Sequence, residues 1–148
     1  MKKILLIFLI LLSQCGYQPI YLGKDLDNRE FSKITFNGDK EINKKITSSL
    51  SFKENTLDND LNELILGSTY KIIETKKSSS GEIESYKSII VCNIIIKKQE
   101  QVSKNKIFSK ELSYNTKSNK FDLVQYQNKI KNDLVNKIIE DIILYLNI

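Results

Sequence analysis

The hydrophobic and polar residues of this chain follow three patterns, and each predicts a different kind of element. An unbroken apolar run from Ile4 to Leu12 comes first, apolar and polar residues then alternate through the middle, and apolar residues recur every three or four positions near the end. Alternation is typical of half-buried strands, and the longer spacing is typical of amphipathic helices. The pattern therefore predicts a leader followed by a domain of strands and helices.

A short strand and a helix begin the predicted domain. The strand runs from Phe31 to Phe36, and Asn37 and Gly38 then turn the chain. Asp39 fits an N-cap, because its short carboxylate can accept hydrogen bonds from the first helical N–H groups. The apolar residues of the helix recur every four positions at Ile42, Ile46 and Leu50. The next segment, residues 51–63, is polar and predicts a loop.

Three long strands are predicted between residues 63 and 115, joined by polar turns at Ser78–Glu82 and Gln99–Lys104. Each strand has one apolar face with a period of two. On the first strand this face carries Leu64, Leu66, Tyr70 and Ile72. On the second it carries Tyr86, Ile90, Cys92, Ile94 and Ile96, and on the third Phe108, Leu112 and Tyr114. The three strands predict an antiparallel meander.

A long amphipathic helix closes the chain. Asp122 and Gln125 have the spacing of a capping box, and Phe121 is placed to pack on Tyr126 as a hydrophobic staple. The apolar stripe comprises Ile130, Leu134, Val135, Ile138, Ile139, Ile142, Ile143 and Leu146. The element order βαβββα predicts a single α+β domain over residues 31–148, with a four-stranded, mostly antiparallel sheet and two helices on one face.

Two helices cover only one face of such a sheet, and the other face is unusually apolar. It would carry Ile73, Ile89, Val91 and Ile95 among Thr, Lys and Asn residues. A contiguous exposed apolar patch usually marks an interaction surface. The alternative is that a compositional preference for Ile in the source genome placed isoleucine where threonine would serve. We interpret the four residues as candidates for a partner-binding face.

The apolar run at the start is a secretory signal in layout, because Lys2 and Lys3 precede it and a short polar step follows. It is about half as long as the roughly 20 residues that a membrane-spanning helix needs. The segment Leu12–Gly16 resembles a bacterial lipobox, which implies that residues 1–14 are removed and that Cys15 carries a covalent lipid. Residues 15–30 would then form a lipidated arm. The alternatives are a plain signal peptide with an incidental cysteine and an uncleaved short anchor.

Composition excludes several classes of function. Removal of residues 1–14 would leave 134 of the 148 residues and lower the net charge from +5 to +3, since Lys2 and Lys3 are lost. Arg29 is the only arginine, and no basic and aromatic platform for nucleic acid is visible. The chain has no His, which removes the commonest general base and metal ligand. We predict no nucleic-acid partner, no catalytic site, no metal and no cofactor.

Four lysines form a second candidate site. If the meander is regular, Lys76 and Lys77 at the first hairpin and Lys117 and Lys120 before the last helix lie at the same end of the sheet. Such an end suits the phosphate groups of an anionic lipid. The alternative is that these are ordinary solvated turn residues, because turns are commonly rich in lysine.

The sequence CGYQPIY after the leader, the SYN at Ser113–Asn115 and the long closing helix resemble the LPS-assembly lipoprotein LptE family of Gram-negative bacteria, especially its alphaproteobacterial members. The resemblance implies a lipoprotein anchored at the outer membrane and facing the periplasm, and Gly16 fits sorting to that membrane. It also implies that the chain plugs and supports the LptD β-barrel and binds lipopolysaccharide. The four lysines are the nearest counterparts of the basic residues associated with that binding.

Two other functions remain open at this point. One is a periplasmic lipid carrier or lipid-modifying module on the same tether, which would need an apolar cavity or a catalytic cluster. The other is an envelope-assembly lipoprotein whose partner is a different barrel.

Overall fold

The computed structural model describes residues 29–58 and 60–146. The predicted signal peptide, Cys15 and nearly all of the predicted arm lie outside the described residues. The strands are β1 (Glu30–Phe31), β2 (Lys33–Gly38), β3 (Lys53–Glu54), β4 (Glu63–Lys77), β5 (Ile83–Lys98) and β6 (Gln101–Asn115), and the helices are α1 (Lys40–Ser49) and α2 (Lys120–Leu146).

The main sheet has four strands in the order β2-β4-β5-β6, and it confirms the predicted α+β class. β2 runs parallel to β4, because α1 carries the chain back across the sheet, whereas β4, β5 and β6 form an antiparallel meander. Both helices contact the sheet, and the core between them and the sheet lies on one side only. The opposite face is left without a covering layer from the described residues.

The core is built from the faces that the period-two and helical patterns predict. Leu64 and Leu66 of β4 and Ile90 and Ile94 of β5 have no exposed area. The helical residues buried against them are Ile42, Ile46, Ile130, Leu134, Val135, Ile138, Ile139 and Ile142. Burial of one such branched side chain stabilises a fold by about 1.5–3 kcal/mol. The helices are therefore held on the sheet mainly by their apolar stripes.

The start of α2 differs from the prediction. The side-chain oxygen of Asn119 accepts a hydrogen bond from the Phe121 N–H at 2.8 Å, and the helix begins at Lys120. The predicted capping box at Asp122 is wrong, because Asn119 is an equally good cap and comes first. Phe121 is 66% exposed, so it is not buried against Tyr126 as the predicted hydrophobic staple requires.

The predicted loop over residues 51–63 contains a two-residue strand. β3 pairs in parallel with β1, and the Asn55 N–H donates to the Phe31 oxygen at 2.8 Å. The Phe31 and Phe52 rings pack edge to face with centroids 5.2 Å apart. This aromatic contact anchors a polar segment whose own pattern predicts no strand.

β6 begins earlier than its pattern predicts. Lys98 pairs with Gln101, which leaves only Gln99 and Glu100 as the turn, with φ of 48° and 65°. Two consecutive positive φ angles are typical of the tight hairpin turns that match strand twist. The predicted turn over Gln99–Lys104 is thus too long, because a tight hairpin extends the ladder through polar residues.

A charge cluster joins the two helices at the start of α1. The Asp39 carboxylate accepts hydrogen bonds from the N–H groups of Glu41 and Ile42, at 3.0 and 3.1 Å, and so confirms the predicted cap. Lys131 of α2 lies 3.4 Å from that carboxylate and 2.8 Å from Glu41. Burial raises the pKa of Asp39, but the hydrogen bond from Ile42 and the charge of Lys131 together bring it below its usual 3.8.

We expect Asp39→Ala to lower the free energy of unfolding by about 1 kcal/mol at neutral pH, because it removes the cap and one partner of Lys131. Since the pKa of Asp39 is lower in the folded state, its ionised form stabilises the fold above pH 3.8, and this part is lost as the pH falls through the folded-state pKa. The deficit of the variant should therefore shrink in acid. Denaturant titrations of both proteins at neutral and strongly acidic pH check this; an unchanged deficit contradicts it.

None of the helices among residues 29–58 and 60–146 is long and apolar enough to cross a membrane.

Candidate functional site

The face of the sheet opposite the helices carries all four predicted partner residues. Ile89, Val91 and Ile95 alternate with the buried residues of β5 and are half-buried. Ile73 of β4 is 45% exposed, and it lies across the ladder from Lys87. We call this surface the open face. Its apolar residues run along β5 and reach β4 at Ile73.

Two further isoleucines extend the open face. Ile65 of β4 pairs directly with Ile95, and Ile107 of β6 pairs with Asn93 and is 63% exposed. The sequence interpretation left out both residues. Period-two alternation from Ile73 back through β4 would have found Ile65, and alternation from Phe108 would have found Ile107.

A notch interrupts the apolar residues of the open face at Gly67. Because Gly67 has no side chain, a cavity of about 200 Å³ opens between the neighbouring side chains. Its lining residues are Asn37, Gly38, Gly67, Ser68, Thr69, Val91 and Asn93. The side-chain oxygen of Asn93 is buried and has no hydrogen-bond partner among the described residues. The notch is large enough to receive one side chain of a partner.

The four predicted lysines lie at the same end of the sheet. Lys76 pairs with Ser85 of β5, and Ser85 pairs in turn with Asn115 at the end of β6. The Thr116 N–H donates to the Glu84 oxygen at 2.9 Å. These contacts place the first hairpin beside the segment that carries Lys117 and Lys120.

The two lysines of the hairpin have carboxylate partners. Lys76 lies 2.6 Å from Glu84, and Lys77 lies 3.1 Å from Glu74. The hydrogen bond from Lys76 to Glu84 raises the pKa of Lys76, so this lysine is fully charged. Both pairs are well exposed and therefore contribute little to stability. They nevertheless offset most of the positive charge at the hairpin.

The charges of Lys117 and Lys120, at the start of α2, are less offset by carboxylates. The Lys117 ammonium lies 4.7 Å from the centre of the Tyr126 ring, which meets the buried Tyr114 edge to face at 5.6 Å. Tyr114 stacks in turn on Tyr86 at 5.8 Å. Lys120 has no ion pair among the described residues. The positive charge of this end is therefore concentrated on the α2 side, next to a patch of tyrosine rings.

Cys92 lies in the core and has no exposed area. Burial raises the pKa of its thiol to about 12, so the thiolate needed for reaction does not form at neutral pH. Within residues 29–58 and 60–146, no group of His, Cys, Asp and Glu side chains is placed to hold a metal ion. Cys92 acts as a small apolar side chain.

The fold resembles solved lipoprotein structures. No protein-family model and no curated protein sequence matches the chain. Rare lipoprotein B from Shewanella oneidensis superposes with a TM-score of 0.61 at 10% identity, over 78% of this chain and 93% of its own. A minor lipoprotein from Acinetobacter baumannii gives 0.57 at 10% identity, over 76% and 88%. A Helicobacter pylori homologue of a neuraminyllactose-binding hemagglutinin gives 0.56 at 15% identity, over 88% and 89%. The chain therefore has the fold of the two lipoproteins and of the hemagglutinin homologue.

Proposed function

We propose that this chain is an outer-membrane lipoprotein of the LptE type, which plugs and supports the LptD barrel and binds lipopolysaccharide on its way to the cell surface. In this proposal Cys15 carries the lipid, the domain faces the periplasm, and the open face packs against the barrel protein. The chain acts by binding and carries out no catalysis.

The open face is the observation that carries the proposal. A solvated sheet face is expected to be polar, whereas this one carries six isoleucine or valine side chains at Ile65, Ile73, Ile89, Val91, Ile95 and Ile107. Burial of such a surface against another protein is favourable by roughly 25 cal/mol per Å². The fold supports a lipoprotein, because rare lipoprotein B has the same fold, and the choice of partner rests on the resemblance of the sequence to the LptE family.

The lysines support a role for lipid phosphate. Lys117 and Lys120 lie at one end of the domain, with Lys117 beside a tyrosine ring. An ammonium group binds phosphate as a point charge, and a nearby aromatic surface can receive the apolar part of an amphiphile. This end fits the headgroup of an anionic lipid.

Co-purification tests the proposed function. The full-length chain with a C-terminal tag is expressed in a Gram-negative host together with the LptD barrel protein of its own source, and the membranes are extracted in mild detergent. We expect a stoichiometric complex with the barrel and an acylated Cys15, both identified by mass spectrometry. An unmodified N-terminus and no bound barrel contradict the proposal and favour the lipid-carrier alternative.

A thiol titration tests the lipid on Cys15 independently. Cys15 and Cys92 are the only cysteines, and Cys92 is buried, with its pKa raised to about 12. We therefore expect membrane-extracted protein to show no reactive thiol in the native state and one after unfolding. Cys15→Ser should give the same titration if Cys15 is acylated, whereas a native reactive thiol that disappears in this variant contradicts acylation.

A further inference from the structure

One edge of β4 is unpaired over the half of the strand nearer the hairpin. β2 ends at Gly38, which pairs with Ser68, whereas β4 continues to Lys77. Beyond Ser68, β4 has β5 on one side and no described strand on the other. We call residues 70–74 on this side the β4 edge.

The hydrogen bonds at the paired end show which residues of β4 face this edge. The Asn62 oxygen accepts from the Ser32 N–H at 3.0 Å, and the Ser68 oxygen accepts from the Asp39 N–H at 2.9 Å. Backbone groups of alternate residues point to the same side of a strand. The N–H and C=O groups of Tyr70, Ile72 and Glu74 therefore point outward, where the described residues offer them no partner.

Edge strands are commonly protected by lysines, and both edges of the sheet carry them: Lys71 lies on the β4 edge, and β6 at the other edge carries Lys104, Lys106 and Lys110. The two edges differ in how their exposed apolar residues are arranged. Those of β6, Val102, Ile107 and Leu112, are spread along the strand, whereas on the β4 edge two of them are neighbours, one on each face, since Ile72 is 41% exposed and Ile73 45%. Such an edge is a template for an additional strand.

We propose that the β4 edge binds an extended strand of the protein that covers the open face, and this inference rests on the proposed function. Ile73 belongs to both surfaces, so one partner can pair with the edge and continue across the face. A second copy of the chain fits less well. Two copies that pair only over residues 70–74 would contribute about five residues each, far below the roughly 20–30 residues per side of a stable interface.

Proline substitution tests the strand pairing, because proline removes one N–H donor and is tolerated at strand edges where that group faces solvent. We expect Ile72→Pro to reduce the barrel recovered per tagged chain at least tenfold, with circular dichroism and melting temperature close to wild type. Ile72→Ala, which keeps the N–H, should reduce it less than threefold. Ser113→Pro is the matched control, since the Ser113 N–H faces outward on the β6 edge and should leave recovery unchanged.

Hydrogen exchange on wild-type protein provides a second measurement that does not depend on the folding of a variant. The amides of Tyr70 and Ile72 should exchange rapidly in the isolated chain and slowly in the complex. If Ile72→Pro recovers as much barrel as wild type, or if the amides of Tyr70 and Ile72 exchange as fast in the complex as in the isolated chain, strand pairing is overturned and the proposed plug function stands. An isolated chain that is already protected at this edge, as a dimer or by its own residues 16–28, overturns it too. Absence of the barrel from the wild-type preparation overturns both proposals.

Discussion

Replacing Gly67 with valine is expected to abolish capture of the barrel protein while leaving the domain at least as stable as wild type. A Cβ at residue 67 would lie 3.7 Å from the Cβ of Asn37, an ordinary contact, and the backbone there is not in the left-handed region. Glycine within a strand costs about 0.5–1 kcal/mol relative to alanine, so the free energy of unfolding should not fall. The valine methyl groups would occupy the notch and leave no room for a partner side chain.

The control for this prediction is Ser113→Val. Ser113 is exposed near the end of β6 and does not line the notch, so this variant adds the same apolar residue to the sheet without filling the notch. Recovery of the barrel should match wild type in Ser113→Val and fall below detection in Gly67→Val. Normal recovery with Gly67→Val would mean that no partner group occupies the notch.

Neutralising Lys117 and Lys120, at the start of α2, is expected to weaken binding to lipid A by roughly 30-fold. Each lysine near an anionic lipid surface contributes about 1 kcal/mol, and about 1.4 kcal/mol corresponds to a factor of ten. The measurement compares wild type with Lys117→Gln/Lys120→Gln on phosphatidylcholine vesicles that contain lipid A. Lys76→Gln/Lys77→Gln should have a smaller effect, because Glu84 and Glu74 already offset those charges.

A matched change at the other end of the sheet controls for net charge. Lys97→Gln/Lys98→Gln removes the same charge at the end of β5, at the opposite end of the sheet from the β4–β5 hairpin. This control should bind nearly as well as wild type. Equal weakening by both double variants would mean that binding follows the overall charge of the chain and not a local site.

The sequence predicts the layers of this fold because the buried residues recur at the regular spacing of strands and helices. Leu64, Leu66, Ile90 and Ile94 alternate along strands whose every second residue faces the helices, and all four are fully buried. The stripe of α2 is equally regular. Where one face of a strand packs in the core, a shift of its register by one residue would move the apolar side chains to the exposed face. The alternation of apolar and polar residues is therefore strongly constrained.

The parts that sequence reasoning missed depend on contacts between distant residues. β3 forms because Phe52 packs on Phe31, and its own residues, Lys53 and Glu54, carry no strand pattern. β6 begins at Gln101 because a tight hairpin extends the ladder, not because its first residues are apolar. Such tertiary context overrides local propensity.

The candidate site was predictable only in part for the same reason. Alternation places Ile89, Val91 and Ile95 on the open face, but the notch requires Gly67 of β4 to lie opposite Asn93 of β5, which depends on strand register. Likewise, lysine spacing places two pairs at one end of the sheet, but only side-chain geometry shows that Glu84 and Glu74 offset one pair.

Site-specific photo-crosslinking in cells tests most directly whether the open face packs against the barrel protein. A photoreactive amino acid replaces Ser109, which is exposed on the open face opposite Val91, and, as the control, Lys137, which is exposed on α2. We predict that the Ser109 probe crosslinks to the LptD barrel much more strongly than the Lys137 probe. Crosslinking to the barrel from Lys137 but not from Ser109 would contradict the central claim, because it would place the partner on the helical side.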